Sequence, residues 1–100
     1  MGPVTVARLA DVPEGSGKMV EVNGKLIGLF KVGSEVYAMD GICLHKGGPV
    51  GEGEIEGSTV TCPLHGWQYD VRTGQFKFNP AVKLRTYRVL LENDEVKLEI

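Results

Sequence analysis

The sequence predicts an all-β domain, an antiparallel sandwich or barrel-like stack of short strands. Three observations carry that expectation. Almost every periodic segment alternates apolar and polar residues with period two, the signature of a half-buried strand. Pairs such as Asn23-Gly24, Gly33-Ser34 and Asn93-Asp94 punctuate the alternation. No segment carries the apolar stripe of an amphipathic helix.

The elements follow in order. Val4 to Leu9 alternates until Asp11-Val12-Pro13-Glu14-Gly15 breaks the pattern. Lys18 to Val22 and Lys25 to Val32 flank Asn23-Gly24, a pair that accepts the positive φ angles of a type I′ hairpin turn. Gly33-Ser34 returns the chain into Glu35 to Met39. From Gly41 to Gly57 the composition turns glycine-rich and reads as a long loop. A second irregular stretch opens at Cys62-Pro63 and runs to about Trp67. Thr73-Gly74 reads as a turn and Asn79-Pro80 as a loop. Leu84 to Leu91 and Val96 to Ile100 flank Asn93-Asp94 as a closing hairpin.

One hundred residues suit a single domain spanning 1–100. The apolar share of 42% supports a modest core, and an internal metal site would help hold a chain of this size together. A formal net charge of −2 lacks the basic field of a nucleic-acid binder. No apolar run approaches the roughly 20 residues that cross a bilayer. No signal peptide is evident at the N-terminus, so the expected location is the cytoplasm, without membrane contact. In that compartment two cysteines are more often metal ligands or reactive groups than a disulfide. Gly15-Ser16-Gly17-Lys18 looks like a phosphate loop but fails as one. The leading glycine is Val12, and Met19 stands where Ser or Thr is required.

Both cysteines and both histidines of the chain lie in the two glycine- and proline-bearing loops, as Cys43-x-His45 and Cys62-x-x-His65 with sixteen residues between. Thiolates suit iron–sulfur clusters and zinc, while imidazole suits iron, zinc and copper. Two Cys/His pairs on separate loops can close on one metal centre, and flexible neighbours let backbone amides approach the sulfurs. Two other readings stay open on spacing alone, a Cys43–Cys62 disulfide and a tetrahedral zinc site in a zinc-stabilised interaction module. A site saturated by four protein ligands has no open position for substrate, which points to electron transfer rather than catalysis. No nucleophile arrangement remains once the four residues are spent.

Cys43-Leu44-His45-Lys46-Gly47 and Cys62-Pro63-Leu64-His65-Gly66-Trp67-Gln68-Tyr69-Asp70, followed by Val71-Arg72-Thr73-Gly74, resemble the Rieske proteins. The resemblance implies a Rieske-type antiparallel β-sandwich with a cluster-binding subdomain of two loops, about 41–50 and 62–68. It implies one [2Fe–2S] cluster per chain, with Cys43 and Cys62 on the inner iron and His45 and His65 on the outer one. Two thiolates and two neutral imidazoles leave the oxidised cluster formally neutral. Such centres lie at roughly −150 to +300 mV, against about −400 mV for plant-type ferredoxins.

Departures from the family select a branch. Rieske proteins of cytochrome bc complexes carry a further cysteine in each loop, joined as a disulfide, which two cysteines cannot supply. Those proteins also place a serine donor where Trp67 stands, so the expected potential is in the low Rieske range. Tyr69 matches a position whose hydroxyl bonds a ligand cysteine and offsets part of that effect. The outer histidines can titrate, and the potential is then expected to fall as pH rises through their pKa. Trp67 and Tyr69 also read simply as packing aromatics. Lys46 is a solvated loop charge or a partner contact, and Pro80 either an ordinary turn or a third loop over the cluster.

The length leaves no room for the catalytic domain of an oxygenase subunit. The chain resembles the stand-alone ferredoxins of bacterial ring-hydroxylating oxygenase systems. That resemblance implies a monomeric electron carrier, not an enzyme, with two partners: a flavin-dependent NAD(P)H ferredoxin reductase and a terminal Rieske oxygenase. The alternative within the same fold is the small subunit of an assimilatory nitrite reductase.

Overall fold

Hairpin chemistry sets the frame of the computed structural model, which describes residues 3–43, 47–64 and 66–99. Strands β2 (Lys18–Val22) and β3 (Lys25–Val32) are joined by Asn23 and Gly24 at φ +52° and +80°, the left-handed region the turn requires. Strands β10 (Thr86–Glu92) and β11 (Glu95–Glu99) are joined by Asn93 and Asp94 at φ +51° and +62°. With β1 (Val4–Arg8) and β4 (Glu35–Asp40) they form a six-stranded antiparallel sheet in the order β1-β11-β10-β4-β3-β2.

A second sheet of five short strands runs in sequence order: β5 (Glu54–Glu56), β6 (Thr59–Thr61), β7 (Gln68–Asp70), β8 (Gln75–Phe76) and β9 (Asn79–Lys83). It is inserted between β4 and β10, which are themselves neighbours paired at Met39↔Thr86 and Ala38↔Tyr87. The chain leaves and returns at one place, where the Asp40 N–H donates to the Arg85 carbonyl at 2.9 Å.

The period-two alternation of β3 and β4 distributes their side chains between two cores. Ile27, Leu29, Val36 and Ala38 pack with Val22, Val96 and Leu98 inside the larger sheet. Phe30 and Met39 face the inserted sheet and join Val60, Tyr69, Phe76, Leu84, Cys43 and Cys62. Strand β3 is therefore covered on both faces, and all four residues from Ile27 to Phe30 are buried.

Glycines make the joint between the sheets. A Cβ on Gly28 would sit 2.7 Å from the Gly51 Cα, and one on Gly17 would strike the Gly51 carbonyl. Backbone hydrogen bonds cross at the same place, from Gly51 N–H to the Gly41 carbonyl and from Gly17 N–H to the Gly53 carbonyl, each 2.9 Å. Side chains there would hold the two backbones apart.

The all-β antiparallel expectation holds, and the first four strands lie where alternation placed them. Three boundaries move. The stretch from Gly41 to Gly57, read as loop throughout, contains a 3-10 turn at Val50–Glu52 and strand β5. Asn79-Pro80, read as a loop, opens edge strand β9, where Pro80 is exposed and its missing N–H costs no ladder bond on the outer side. The strand expected from Leu84 begins two residues later, after Leu84 has turned inward to the core.

Candidate metal centre

Each cysteine opens a loop closed by the same two hydrogen bonds. The Cys43 N–H donates to the Gly48 carbonyl at 2.7 Å, and the Gly47 N–H donates back to the Cys43 carbonyl at 3.1 Å. In the second loop the Cys62 N–H donates to the Trp67 carbonyl at 2.7 Å, and the Gly66 N–H to the Cys62 carbonyl at 3.2 Å. The fourth residue after each cysteine is a glycine in the left-handed region, Gly47 at φ +70° and Gly66 at φ +73°. Glycine adopts that conformation at the lowest cost, having no Cβ. Two unrelated stretches of sequence thus build one loop geometry twice, and each frame encloses one histidine position.

His45 and His65 themselves, with Leu44 and Lys46, lie outside the described residues. Among the described residues the structure places the two cysteines together in one core, at 3% and 1% exposure, as free thiols. Burial pushes the Cys62 thiol up from its ordinary value, and neighbouring Cys43 adds to the effect. Two buried sulfurs side by side become thiolates readily only beside a compensating cation. The donor set and its enclosure therefore fit a thiolate-bound metal group.

The walls of the site are specific. Tyr69 is fully buried, and its hydroxyl lies 3.2 Å from the Cys43 Sγ, the contact its sequence position suggested. Trp67 is half-buried and stacks on Phe76, with ring centroids 4.0 Å apart and planes 11° apart, so its packing role is real. Gly48 is the point where the first loop meets the second. A Cβ there would lie 2.8 Å from the Cys62 Sγ and 2.7 Å from the Leu64 Cβ. Ile42 and Leu64, one and two residues from the two cysteines, are 37% and 40% exposed.

Sequence reading missed Phe76 and Gly48. Phe76 sits in a two-residue strand that carries no periodic signal, and Gly48 is one glycine among many in its loop. Beside the Cys/His pairs, a glycine four residues after each cysteine, Gly47 and Gly66, is the sequence signal that the loops are equivalent.

A family model described as Rieske [2Fe-2S] domain matches residues 2–88. The chain is 41% identical over 98 residues to the ferredoxin component of the naphthalene 1,2-dioxygenase/salicylate 5-hydroxylase systems of Ralstonia sp, covering 97% of this chain and 94% of that one. Among solved structures, the Sphingomonas yanoikuyae B1 ferredoxin matches with a TM-score of 0.89 at 26% identity, over 99% of both chains. A chain of the complex of reduced oxygenase and oxidized ferredoxin in carbazole 1,9a-dioxygenase matches with a TM-score of 0.85 at 28% identity, over 96% of this chain and 100% of that one.

Proposed function

The chain belongs to the Rieske [2Fe–2S] domain family, and from that premise we propose that Cys43, His45, Cys62 and His65 hold its single cluster. The observation that supports the assignment is the pair of matched loop frames, each with a buried free thiol at its start and a histidine within its span. The cluster-binding loops are about 41–50 and 62–68 of a domain spanning 1–100.

When bound, the cluster takes up one electron and gives it back. The protein is an electron carrier of an aromatic-ring dioxygenase system, a ferredoxin component rather than an enzyme. Its own residues do four things for that task. Burial of the cysteines keeps water from the sulfurs. The frames tie the two ends of each loop to each other beside its cysteine, which would limit reorganisation during electron transfer. The Tyr69 hydroxyl supplies a donor to the Cys43 sulfur, while Trp67, which holds its loop through a carbonyl, supplies no hydroxyl where a serine would. That donor count supports a low-range Rieske potential.

The two histidine ligands are the exit for the electron, and the exposed Ile42 and Leu64, close in sequence to the two cysteines, offer apolar surface to redox partners. The partners are a terminal Rieske oxygenase and a flavin-dependent NAD(P)H reductase, which the monomeric carrier meets in turn. Cysteines used as metal ligands rather than in a disulfide suit the cytoplasm. Among the described residues no helix is long and apolar enough to cross a membrane. The ferredoxin component at 41% identity favours this reading over a nitrite reductase subunit.

Replacement of His45 or His65 by alanine is the test. Each variant is expected to lose or convert the cluster, read by visible absorption, iron content and EPR of the reduced protein. Unchanged spectra would refute the ligand assignment. Stoichiometric zinc in a colourless wild-type protein would refute the cluster.

A further inference from the structure

Three aromatic rings meet in the core that contains the two cysteines, and Phe76 is the one on which the others rest. Trp67 stacks flat on it at 4.0 Å, and Tyr69 leans on it at 5.7 Å with planes 44° apart. Trp67 carries the carbonyl that holds the Cys62 N–H at 2.7 Å. Tyr69 carries the hydroxyl 3.2 Å from the Cys43 sulfur. Cys43 thus meets a ring hydroxyl, Cys62 is held by the backbone of the residue that carries the second ring, and both rings share one support.

The support is well fixed despite a weak strand. Strand β8 is two residues long and pairs with β7 only at Tyr69↔Phe76. The Lys77 N–H to the Gln68 carbonyl, at 2.9 Å, adds one tie. Phe76 itself is 8% exposed and packs in the core that contains both thiols. The edge of Phe78 closes over it at 5.7 Å and 72°. Close-packed interiors transmit displacement, so a void at Phe76 would let both neighbouring rings move.

We propose that Phe76 is a positioning residue for the metal centre, setting the relative placement of Cys43 and Cys62 through Tyr69 and Trp67. The proposal rests on the two cysteines being cluster ligands. It adds that a side chain without a polar atom governs the strength of the Tyr69 hydrogen bond, and through it the potential. Loss of the ring loosens the hydroxyl-to-sulfur contact, and a hydrogen bond weakens steeply with distance and angle. A weaker donor stabilises the reduced centre less.

The test is a double-mutant cycle in the cluster-loaded protein, comparing wild type, Phe76→Leu, Tyr69→Phe and the double variant by redox titration and EPR. Phe76→Leu is expected to lower the potential and broaden the EPR lines. In the Tyr69→Phe background the same substitution is expected to leave the potential nearly unmoved, because the hydroxyl it acts through is gone. Phe76→Tyr, which keeps a ring, restores a near-wild-type potential. A loss of stability alone would move the denaturation midpoint without this non-additivity in potential. A wild-type potential in Phe76→Leu, or an equal shift in both backgrounds, overturns the proposal. Should Phe76→Leu yield no folded protein, Trp67→Leu removes the stack from a half-buried position. Its EPR spectrum is then expected to change, and an unchanged spectrum overturns the proposal. A wild-type protein without a cluster signal overturns the ligand assignment and this proposal together, whereas a normal wild-type signal with an unshifted Phe76→Leu overturns this proposal alone.

Discussion

Replacing Gly48 by alanine should weaken the hold on the cluster while leaving the larger sheet folded. The new methyl would lie 2.8 Å from the Cys62 Sγ and 2.7 Å from the Leu64 Cβ. Carbon atoms rest comfortably at about 3.5 to 4 Å, so the second loop must retreat by about 1 Å. Its retreat is opposed by the hydrogen bonds at Cys62 and by the Trp67 stack, neither of which stretches cheaply. Overpacking of this kind costs about 1 to 3 kcal/mol. Charged to the loaded state alone, that is roughly a 5-fold to 150-fold loss of cluster retention, since each 1.4 kcal/mol is tenfold. The assay is decay of visible absorbance under a chelator, beside iron content as purified. Gly57→Ala, away from both loop frames, is the control, because its φ of +63° brings backbone strain while a Cβ there meets nothing within 4 Å among the described residues. Retention equal to wild type in Gly48→Ala, or an equal defect in Gly57→Ala, would refute the claim that the loops meet at Gly48.

Tyr69→Phe keeps the buried ring and removes one donor to the Cys43 sulfur. If the bond favours the reduced centre by about 0.5 to 1.5 kcal/mol, the potential falls by about 20 to 65 mV, and a potential that rises or stays put contradicts this. Tyr87 donates to the Asp40 Oδ1 at 2.6 Å, and burial together with that bond pushes its pKa up to about 12. The native state keeps this proton after the unfolded chain, titrating near about 10, has lost it, so the contribution is full below pH 10 and lost between pH 10 and about 12. Urea denaturation should show wild type losing up to about 2 to 3 kcal/mol relative to Tyr87→Phe across that window, and parallel pH curves for the two proteins would disprove it. Gly28→Ala places a methyl 2.7 Å from both the Gly51 Cα and the Phe30 Cζ. It should lower stability by about 1 to 3 kcal/mol, and an unchanged denaturation midpoint would mean that the seam is looser than described.

The larger sheet was legible because its strands are long enough to alternate. Lys25–Val32 has eight residues, and Asn23-Gly24 and Asn93-Asp94 name their own turns. The inserted sheet was not. Its strands run from two to five residues, too few for a period to emerge, and the buried Val60, Tyr69 and Phe76 are isolated between polar neighbours. Pro80 actively misled, since proline signals a loop but is tolerated at a sheet edge. The cysteines were legible from spacing, and the structure brings them together as expected. The histidines rest on spacing and family membership, because their positions fall outside the described residues. Phe76 and Gly48 act only through what three-dimensional packing places beside them, and no local pattern announces such roles.

The point where the chain leaves β4 and re-joins at β10 has a practical meaning. Residues 41–85 hang from two adjacent antiparallel strands whose ends are one hydrogen bond apart, Asp40 to Arg85. A segment with neighbouring ends is a cassette. A short turn across that gate would leave a plain six-stranded sheet, and any host with two such strands ending in register offers a socket for the redox lobe. The glycine seam sets the terms of transfer, because the host must present a surface as bare as Gly28 where the lobe comes to rest.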